Sequence, residues 1–400
     1  MRRFALFTWG VVAYNLFVIL WGAFVRATGS GAGCGDHWPL CDGQVIPRAD
    51  SIEQVIEFTH RATSGVALLL VVGMLVWAWR IFPGGHIVRK AALASLVVII
   101  IEALLGAALV VLELVATNVS VTRAYWVAAH LANTFLLVGV LTLTAWWASG
   151  GRPLQLRGQG GLLPMLLVGL LATIVVGSSG AVTALGDTLL QLGALPGGVN
   201  QPVDSNSHIL VQLRVYHPVI AVLTSVYALF LAWYIDRRGS DVTTRRLAQA
   251  MVVIFFAQLI IGSLNVWLKA PVWMQLFHLL MADFTWMVLV LLSASALAVP
   301  AAAKEEIRRS AFGGVATNNG NMCALRTMST SNSQHDKGTG VLLRHSGEAC
   351  YDWIGKRSSL TSSLPSFHRR APLGNLKDPS APFRCANSSI WWFIARGPAR

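Results

Sequence analysis

The chain has 400 residues, of which 54% are hydrophobic and only 12% are charged, and its formal net charge is +13. A water-soluble domain could not bury so much apolar surface, so most of the chain must face lipid or other buried helices. The cations lie in short segments between apolar runs and in the last hundred residues. This distribution argues against nucleic acid as a partner despite the positive charge.

Eight apolar segments approach the length that crosses a bilayer. In chain order they cover residues 5–26, 57–81, 90–113, 125–148, 162–181, 212–235, 247–268 and 272–298. The sequence therefore predicts an all-α polytopic membrane protein with eight transmembrane helices and membrane lipid around it.

Lysine and arginine are concentrated before the first span, after the eighth and in every second loop between them. Examples are Arg2, Arg3, Arg80, Arg89, Lys90, Arg152, Arg157, Arg237, Arg238, Lys304 and Arg308. The positive-inside rule then places both termini in the cytoplasm. No amphipathic transit peptide precedes the first span, which favours the inner membrane of a bacterial cell.

The two halves of the apolar region resemble each other. Residues 102–106 in the third span align with residues 258–262 in the seventh, and His130 aligns with His278. Gly31 and Gly35 follow the first span. They match Gly180 and Gly186, respectively, which are predicted to lie near or after the end of the fifth span. We predict two tandem four-helix bundles, residues 1–150 and 151–300, related by internal duplication about an axis along the membrane normal. Chance similarity between leucine-rich helices is the alternative.

Four histidines lie near the outer ends of the second, fourth, sixth and eighth spans. They are His60, His130, His217 and His278. Each follows its predicted helix start by about four to seven residues, or roughly 6–10 Å. Intramembrane imidazoles are rare and costly to leave unpaired, and imidazole is a suitable axial ligand of haem iron. We therefore predict one haem site per half, although hydrogen bonding to neighbouring helices would also explain each histidine alone.

A zinc or non-haem iron site is less favoured, because it would require a third or fourth ligand in each half. The remaining histidines before the last hundred residues lie in loops and are predicted to be surface residues: His37, His86 and His208.

Carboxylates lie close to the predicted ligands. Glu57 precedes His60 by one helical turn, where it could accept a proton or could simply be an acidic residue favoured at a helix start. Glu102 lies inside the third span at the position of the neutral Gln258, and a structural role is favoured for it over a role in a proton route.

Cys34 and Cys41 lie in the loop after the first span, on the oxidising side of the membrane, where such a pair predicts a disulfide bond. Six intervening residues do not fit a metal knuckle or a covalent haem attachment motif. The spacing leaves a structural and a redox role equally open.

Residues 22–41, 57–61 and 130–133 resemble the haem A synthase family, and the similarity extends over about residues 4–298. The resemblance implies that a ring methyl group of haem O is oxidised, through an alcohol, to the formyl group of haem A, which terminal oxidases use. It also implies that His60 and His130 flank the substrate haem and that His217 and His278 bind a haem b cofactor. Glu57 matches the acidic residue of the substrate site, and Cys34 with Cys41 matches cysteines proposed to act in electron transfer or haem handling.

Such an enzyme implies haem O synthase as the partner that supplies its substrate, and an electron donor that the sequence does not identify. The sequence also leaves self-association into a homo-oligomer open. A di-haem cytochrome that carries electrons between a quinol and a partner is the alternative function. A transporter ranks last, because Pro164 and Pro218 lie near span ends rather than in mid-membrane.

Residues 301–400 are polar, basic and rich in glycine, serine and asparagine, with no helical period. This composition predicts a disordered cytoplasmic tail or a non-native extension. Cys323, Cys350 and Cys385 all lie in this segment.

Overall fold

The computed structural model describes residues 1–48, 50–196, 207–238 and 241–298, together with three strands in the last hundred residues. The chain divides into two compact units, Met1–Val299 and Pro300–Arg400. The described residues of the first unit are mainly helical and hold every predicted site residue.

In the described part of the chain, eight helical spans are long and apolar enough to cross a membrane. They are α1 (Arg2–Ala27), α2 (Ile52–Ile81), α3 (Ile87–Val111), α4 (Val121–Ala148), α5 (Leu162–Gln191), an interrupted span over Ile209–Arg237, α8 (Val242–Trp267) and α9 (Val272–Ala296). The predicted fold of eight transmembrane helices is confirmed.

The sixth span is interrupted near its N-terminal end. It consists of α6 (Ile209–Gln212), a 3-10 segment (Leu213–Val215) and α7 (Tyr216–Arg237). Pro218 lies in the first turn of α7 and has no backbone N–H to bond the carbonyl four residues earlier. The change of helix type therefore coincides with the place where the proline removes a helical hydrogen bond.

Helix α2 begins at Ile52 rather than at the predicted residue 57. The Ser51 hydroxyl accepts a hydrogen bond from the backbone N–H of Gln54 at 3.1 Å, and the Gln54 side-chain oxygen accepts one from the backbone N–H of Asp50 at 3.1 Å. These reciprocal bonds satisfy N–H groups that a helix start leaves free. A boundary drawn from apolar length misses this polar first turn.

Helix α5 ends at Gln191, so the predicted end at residue 181 is wrong. Gly180 and Gly186 consequently lie inside a helix, whereas Gly31 and Gly35 lie in the loop after α1, and this part of the predicted repeat fails. Asp187 is accommodated in the additional turns because its carboxylate forms an ion pair with Arg214, in which Oδ1 lies 2.8 Å from Nε.

Each half of the first unit closes into a ring of four spans. In the N-terminal half, α1 and α3 each pack against α2 and α4; in the C-terminal half, α5 and α8 each pack against α7 and α9. Helices α1, α4, α5 and α9 form the contact between the halves. One apolar cluster includes Met74 and Leu141 of the first ring and extends to Trp286 of α9, and a second includes Leu231 and Met251 of the C-terminal ring. Their origin by tandem duplication and a domain boundary at residue 150 stay predictions.

The second unit contains three antiparallel strands in the order β1-β2-β3: β1 (Ala324–Ser329), β2 (Thr339–His345) and β3 (Glu348–Ile354). The rest of that segment lies outside the described residues. The expected disordered or non-native tail therefore stays a prediction.

Candidate functional site

The four intramembrane histidines lie on the four spans that the sequence indicates. His60 follows the start of its span at Ile52 by eight residues and His130 follows Val121 by nine; in the second half, His217 follows Ile209 by eight and His278 follows Val272 by six. At the helical rise this corresponds to about 9–14 Å. His60, His130 and His217 lie deeper than predicted because their spans begin three to five residues earlier than predicted, whereas α9 begins at the predicted residue 272.

Each ring of spans carries two of the four histidines. His60 in α2 and His130 in α4 belong to the N-terminal ring, and His217 in α7 and His278 in α9 belong to the C-terminal ring. All four side chains are partly buried. The structure therefore places two imidazoles in each ring, and their pairing across a haem stays a prediction.

A glycine on the preceding span lies against each histidine ring. A Cβ atom added to Gly22 would lie 2.8 Å from His60 Cε1, and one added to Gly180 would lie 2.9 Å from His217 Cε1. The same construction gives 3.0 Å from Gly262 to His278 and 3.7 Å from Gly106 to His130. Since real Cβ contacts are essentially never shorter than 3.0 Å, the absence of a side chain at Gly22 and Gly180 lets the rings of His60 and His217 pack against the neighbouring helix backbone.

The ring nitrogens have few partners. Nδ1 of His60, His130 and His278 is buried without a hydrogen bond, whereas Nδ1 of His217 lies 3.0 Å from the Ser179 hydroxyl. Among the described residues no group of three or more histidine, cysteine, aspartate or glutamate side chains could hold a metal ion. Two imidazoles in each four-helix ring fit the axial positions of haem iron, which needs only two protein ligands.

Glu57 is almost fully buried, at 2% exposure, and its carboxylate is engaged on both oxygens. Oε2 accepts a hydrogen bond from the backbone N–H of Cys34 at 2.9 Å, and Oε1 forms an ion pair with Arg61 at 2.5 Å. Arg61 in turn donates to the backbone carbonyls of His37 and Leu40. Glu57 therefore connects the loop after α1 to the turn of α2 that carries His60.

Cys34 and Cys41 form the predicted disulfide bond. Both cysteines are buried, at 0% and 1% exposure. The loop lies directly on the start of α2, because a Cβ at Gly33 would lie 2.4 Å from the backbone carbon of Glu53. A side chain at this position would therefore separate the loop from the helix.

Glu102 lies beside the second histidine of the N-terminal pair. Its Oε2 accepts a hydrogen bond from Asn133 Nδ2 at 2.6 Å, and its Oε1 accepts one from the Thr134 hydroxyl. The same Oε1 lies 3.5 Å from His130 Nδ1. These contacts join α3 to α4, in keeping with the structural role favoured from the sequence, but they also place a carboxylate next to a candidate ligand.

Arg26, near the end of α1, connects the two halves. From α1 its guanidinium donates to the carbonyl of Ala184 at 2.7 Å and to the Thr188 hydroxyl at 2.8 Å, both in α5. It also donates to Gln275 Oε1 in α9 at 2.9 Å. Sequence reasoning missed this bridge between the halves, because nothing local shows which distant helices face α1.

Asp283 in α9 was also missed, although an acidic residue inside an apolar span is a recognisable signal. The side chain is fully buried, and within the described residues neither carboxylate oxygen has a hydrogen-bond partner.

The predicted surface histidines have different environments. His37 is exposed, as expected. His86 and His208 are only half-exposed, since each caps a helix: the Nδ1 atom accepts a backbone N–H from Val88 and from Leu210, respectively, at 3.3 Å. Side-chain capping of a helix start explains the difference.

Comparison with known proteins places these features in a family. A family model described as COX15-CtaA, cytochrome oxidase assembly protein, matches residues 5–290. Two Thermus thermophilus proteins named Protoheme IX farnesyltransferase are 51% identical over 295 residues, which is 74% of this chain and 48% of theirs. The chain thus spans about half the length of these relatives.

Relatives named Heme A synthase also match. The Staphylococcus epidermidis protein is 27% identical over 279 residues, covering 67% of this chain and 87% of its own. The Shouchella clausii protein is 48% identical over 96 residues, 24% of this chain and 32% of its own. The family match extends over all eight spans and both histidine pairs, so the chain belongs to the COX15-CtaA family of cytochrome oxidase assembly proteins.

Proposed function

We propose that the chain is a haem A synthase, an oxidoreductase that converts a ring methyl group of haem O into the formyl group of haem A for terminal oxidases. The observation that carries this proposal is the presence of two imidazoles in each four-helix ring, with a glycine of the preceding span against each imidazole. The Heme A synthase of Staphylococcus epidermidis, matched over most of its length, supports the same activity.

The two pairs have different proposed roles. His60 and His130 flank the substrate haem O, and His217 and His278 hold haem b as the resident cofactor. The residues of the N-terminal half support this division, because the Cys34–Cys41 disulfide and the hydrogen bond from Cys34 to Glu57 both belong to the half that carries His60 and His130. When bound, haem b supplies one-electron redox chemistry.

The residues around the N-terminal pair position and enclose the substrate. Glu57 is the acidic residue of this site: it fixes the loop through Cys34 and places a negative charge one helical turn from His60. The Cys34–Cys41 bond closes the loop, and Gly22 leaves room for the His60 ring against α1. The relatives named Heme A synthase favour this enzyme over a di-haem cytochrome.

We further propose that haem O synthase is the partner that supplies the substrate. The Thermus thermophilus relatives support this partner, because proteins named Protoheme IX farnesyltransferase contain a region 51% identical to this chain. The proposed location is the inner membrane of a bacterial cell with both termini in the cytoplasm, supported by the positive loops between the apolar spans.

The activity is tested by expressing the chain in cells that make haem O but lack haem A. The haems are extracted and separated by chromatography, with a chain carrying His60→Ala and His130→Ala as the control. We expect haem A from the native sequence and none from the control. Absence of both haem A and a partly oxidised haem O, in cells where the protein is present in the membrane, would contradict the proposed reaction.

A further inference from the structure

The histidines on α4 and α9 have different neighbours, although they align in the two halves. In the N-terminal ring, the Glu102 carboxylate accepts hydrogen bonds from Asn133 and Thr134 and lies 3.5 Å from His130 Nδ1. Asn133 also donates to the carbonyl of Val98, and Thr134 also contacts the carbonyl of His130 at 2.9 Å. We call Glu102, Asn133 and Thr134 the Glu102 cluster.

The C-terminal ring has no equivalent of this cluster at the aligned positions. Gln258 replaces Glu102, and its Nε2 donates to the backbone carbonyl of His278 at 3.2 Å, while its Oε1 is buried without a partner. Met281 and Ala282 occupy the positions three and four residues after His278, where Asn133 and Thr134 follow His130. One candidate ligand therefore has a carboxylate beside it, and its counterpart has a neutral amide.

We propose that Glu102 is a positioning residue that orients His130 and gives the N-terminal iron site a lower reduction potential than the C-terminal site. This inference rests on the proposed function, since it requires His130 to be an axial ligand. Asn133 and Thr134 each donate a hydrogen bond to the carboxylate and fix its position. Its Oε1 lies 3.5 Å from His130 Nδ1, about 0.5 Å longer than the usual N–H···O distance.

The physical reason is the effect of a second-shell carboxylate on a ligating imidazole. A carboxylate that faces the imidazole nitrogen not bound to iron fixes the orientation of the imidazole and raises its basicity. A more basic ligand and a nearby negative charge both favour ferric over ferrous iron and so lower the reduction potential. The low dielectric constant inside the four-helix ring strengthens this effect. A neutral glutamine at the other site supplies neither contribution.

The first test isolates the N-terminal site. The full chain with His217→Ala and His278→Ala is reconstituted with one equivalent of haem B, and its midpoint potential and low-spin spectrum are measured with and without Glu102→Gln. We expect the potential to rise in the Glu102→Gln protein at unchanged haem stoichiometry, and Glu102→Asp to restore part of the shift. A purely structural role would change stability or haem content without this shift.

The second test transfers two members of the cluster to the other half. Gln258→Glu combined with Ala282→Thr, in a chain with all four histidines, is expected to lower the potential of the haem b that copurifies. Bound haem with unchanged potentials in both tests would overturn the role of Glu102. Failure of the first protein to bind haem while Glu102 is intact would instead contradict the proposed N-terminal haem site, and the inference would fall with it.

Discussion

The indole N–H of Trp286 in α9 donates to the backbone carbonyl of Phe135 in α4 at 2.5 Å, and the two rings stack with their centroids 5.4 Å apart. Phe135 follows His130 on its helix, and Trp286 follows His278. Gly139 leaves room for the indole, since a Cβ there would lie 3.2 Å from Trp286 Nε1. The contact therefore connects α4 and α9, the two helices that carry His130 and His278.

Replacing Trp286 by phenylalanine keeps an aromatic ring but removes the N–H donor. We expect a loss of about 1–2 kcal/mol in the free energy of unfolding, because a buried hydrogen bond between the halves is lost. The measurement is thermal unfolding in detergent. Trp273→Phe, at a site that is 61% exposed, is the control and should change the midpoint little. Equal effects of the two substitutions would contradict a specific role for the contact.

Gly180→Ala should lower the haem b content of the purified protein. The added Cβ would lie 2.9 Å from His217 Cε1, so the ring must move away from the position that it occupies against α5. Gly10→Ala is the control, because nothing lies within 4 Å of its added Cβ, and alanine favours a helix by roughly 1 kcal/mol over glycine. Haem per chain is measured from the pyridine haemochrome spectrum. Unchanged haem content in Gly180→Ala would show that the close packing is not required.

His217→Ala and His278→Ala should each abolish the low-spin haem b spectrum, because a bis-imidazole site cannot form with one ligand missing. His208→Ala, at a helix cap outside the pairs, should retain the spectrum. The absorption spectra of the purified proteins provide the measurement. A full low-spin bis-imidazole spectrum in both ligand variants would show that the ligand assignment is wrong.

Glu57→Gln should decrease turnover by about 10–100-fold while haem content falls much less. Glutamine keeps an oxygen that can accept the Cys34 N–H but removes the negative charge beside Arg61, so the loop stays in place while the acidic function is lost. Haem A formation and haem content are measured on the same preparations, with exposed Glu53→Gln as the control. Parallel loss of both quantities would indicate a structural role alone.

Removing the disulfide by Cys34→Ala and Cys41→Ala should cost about 2–3 kcal/mol of stability, the value expected for a short closed loop. In the native chain, both cysteines should resist reduction and alkylation until the protein unfolds, because they are 0% and 1% exposed. Mass spectrometry after treatment with a reductant and an alkylating reagent tests this. Rapid labelling of Cys34 in folded protein would favour the redox role over the structural one.

The sequence alone determined the number of spans and the four spans that carry an intramembrane histidine. Apolar length and helical spacing are local properties, and the low dielectric of a bilayer makes any polar group inside a span conspicuous. The predicted boundaries were less accurate at Ile52 and Gln191, where polar residues continue a helix beyond its apolar part. There, capping bonds and the Asp187–Arg214 ion pair compensate for the polarity.

Only the tertiary structure decided which surfaces meet. The bridge from Arg26 to Gln275, the loop contacts of Glu57 and the glycines that face the histidine rings all join segments that are distant in sequence. Packing between such segments depends on the shape and rotation of whole helices, which local periodicity does not specify. The sequence thus supplies the candidate ligands, and the fold supplies the different surroundings of each pair.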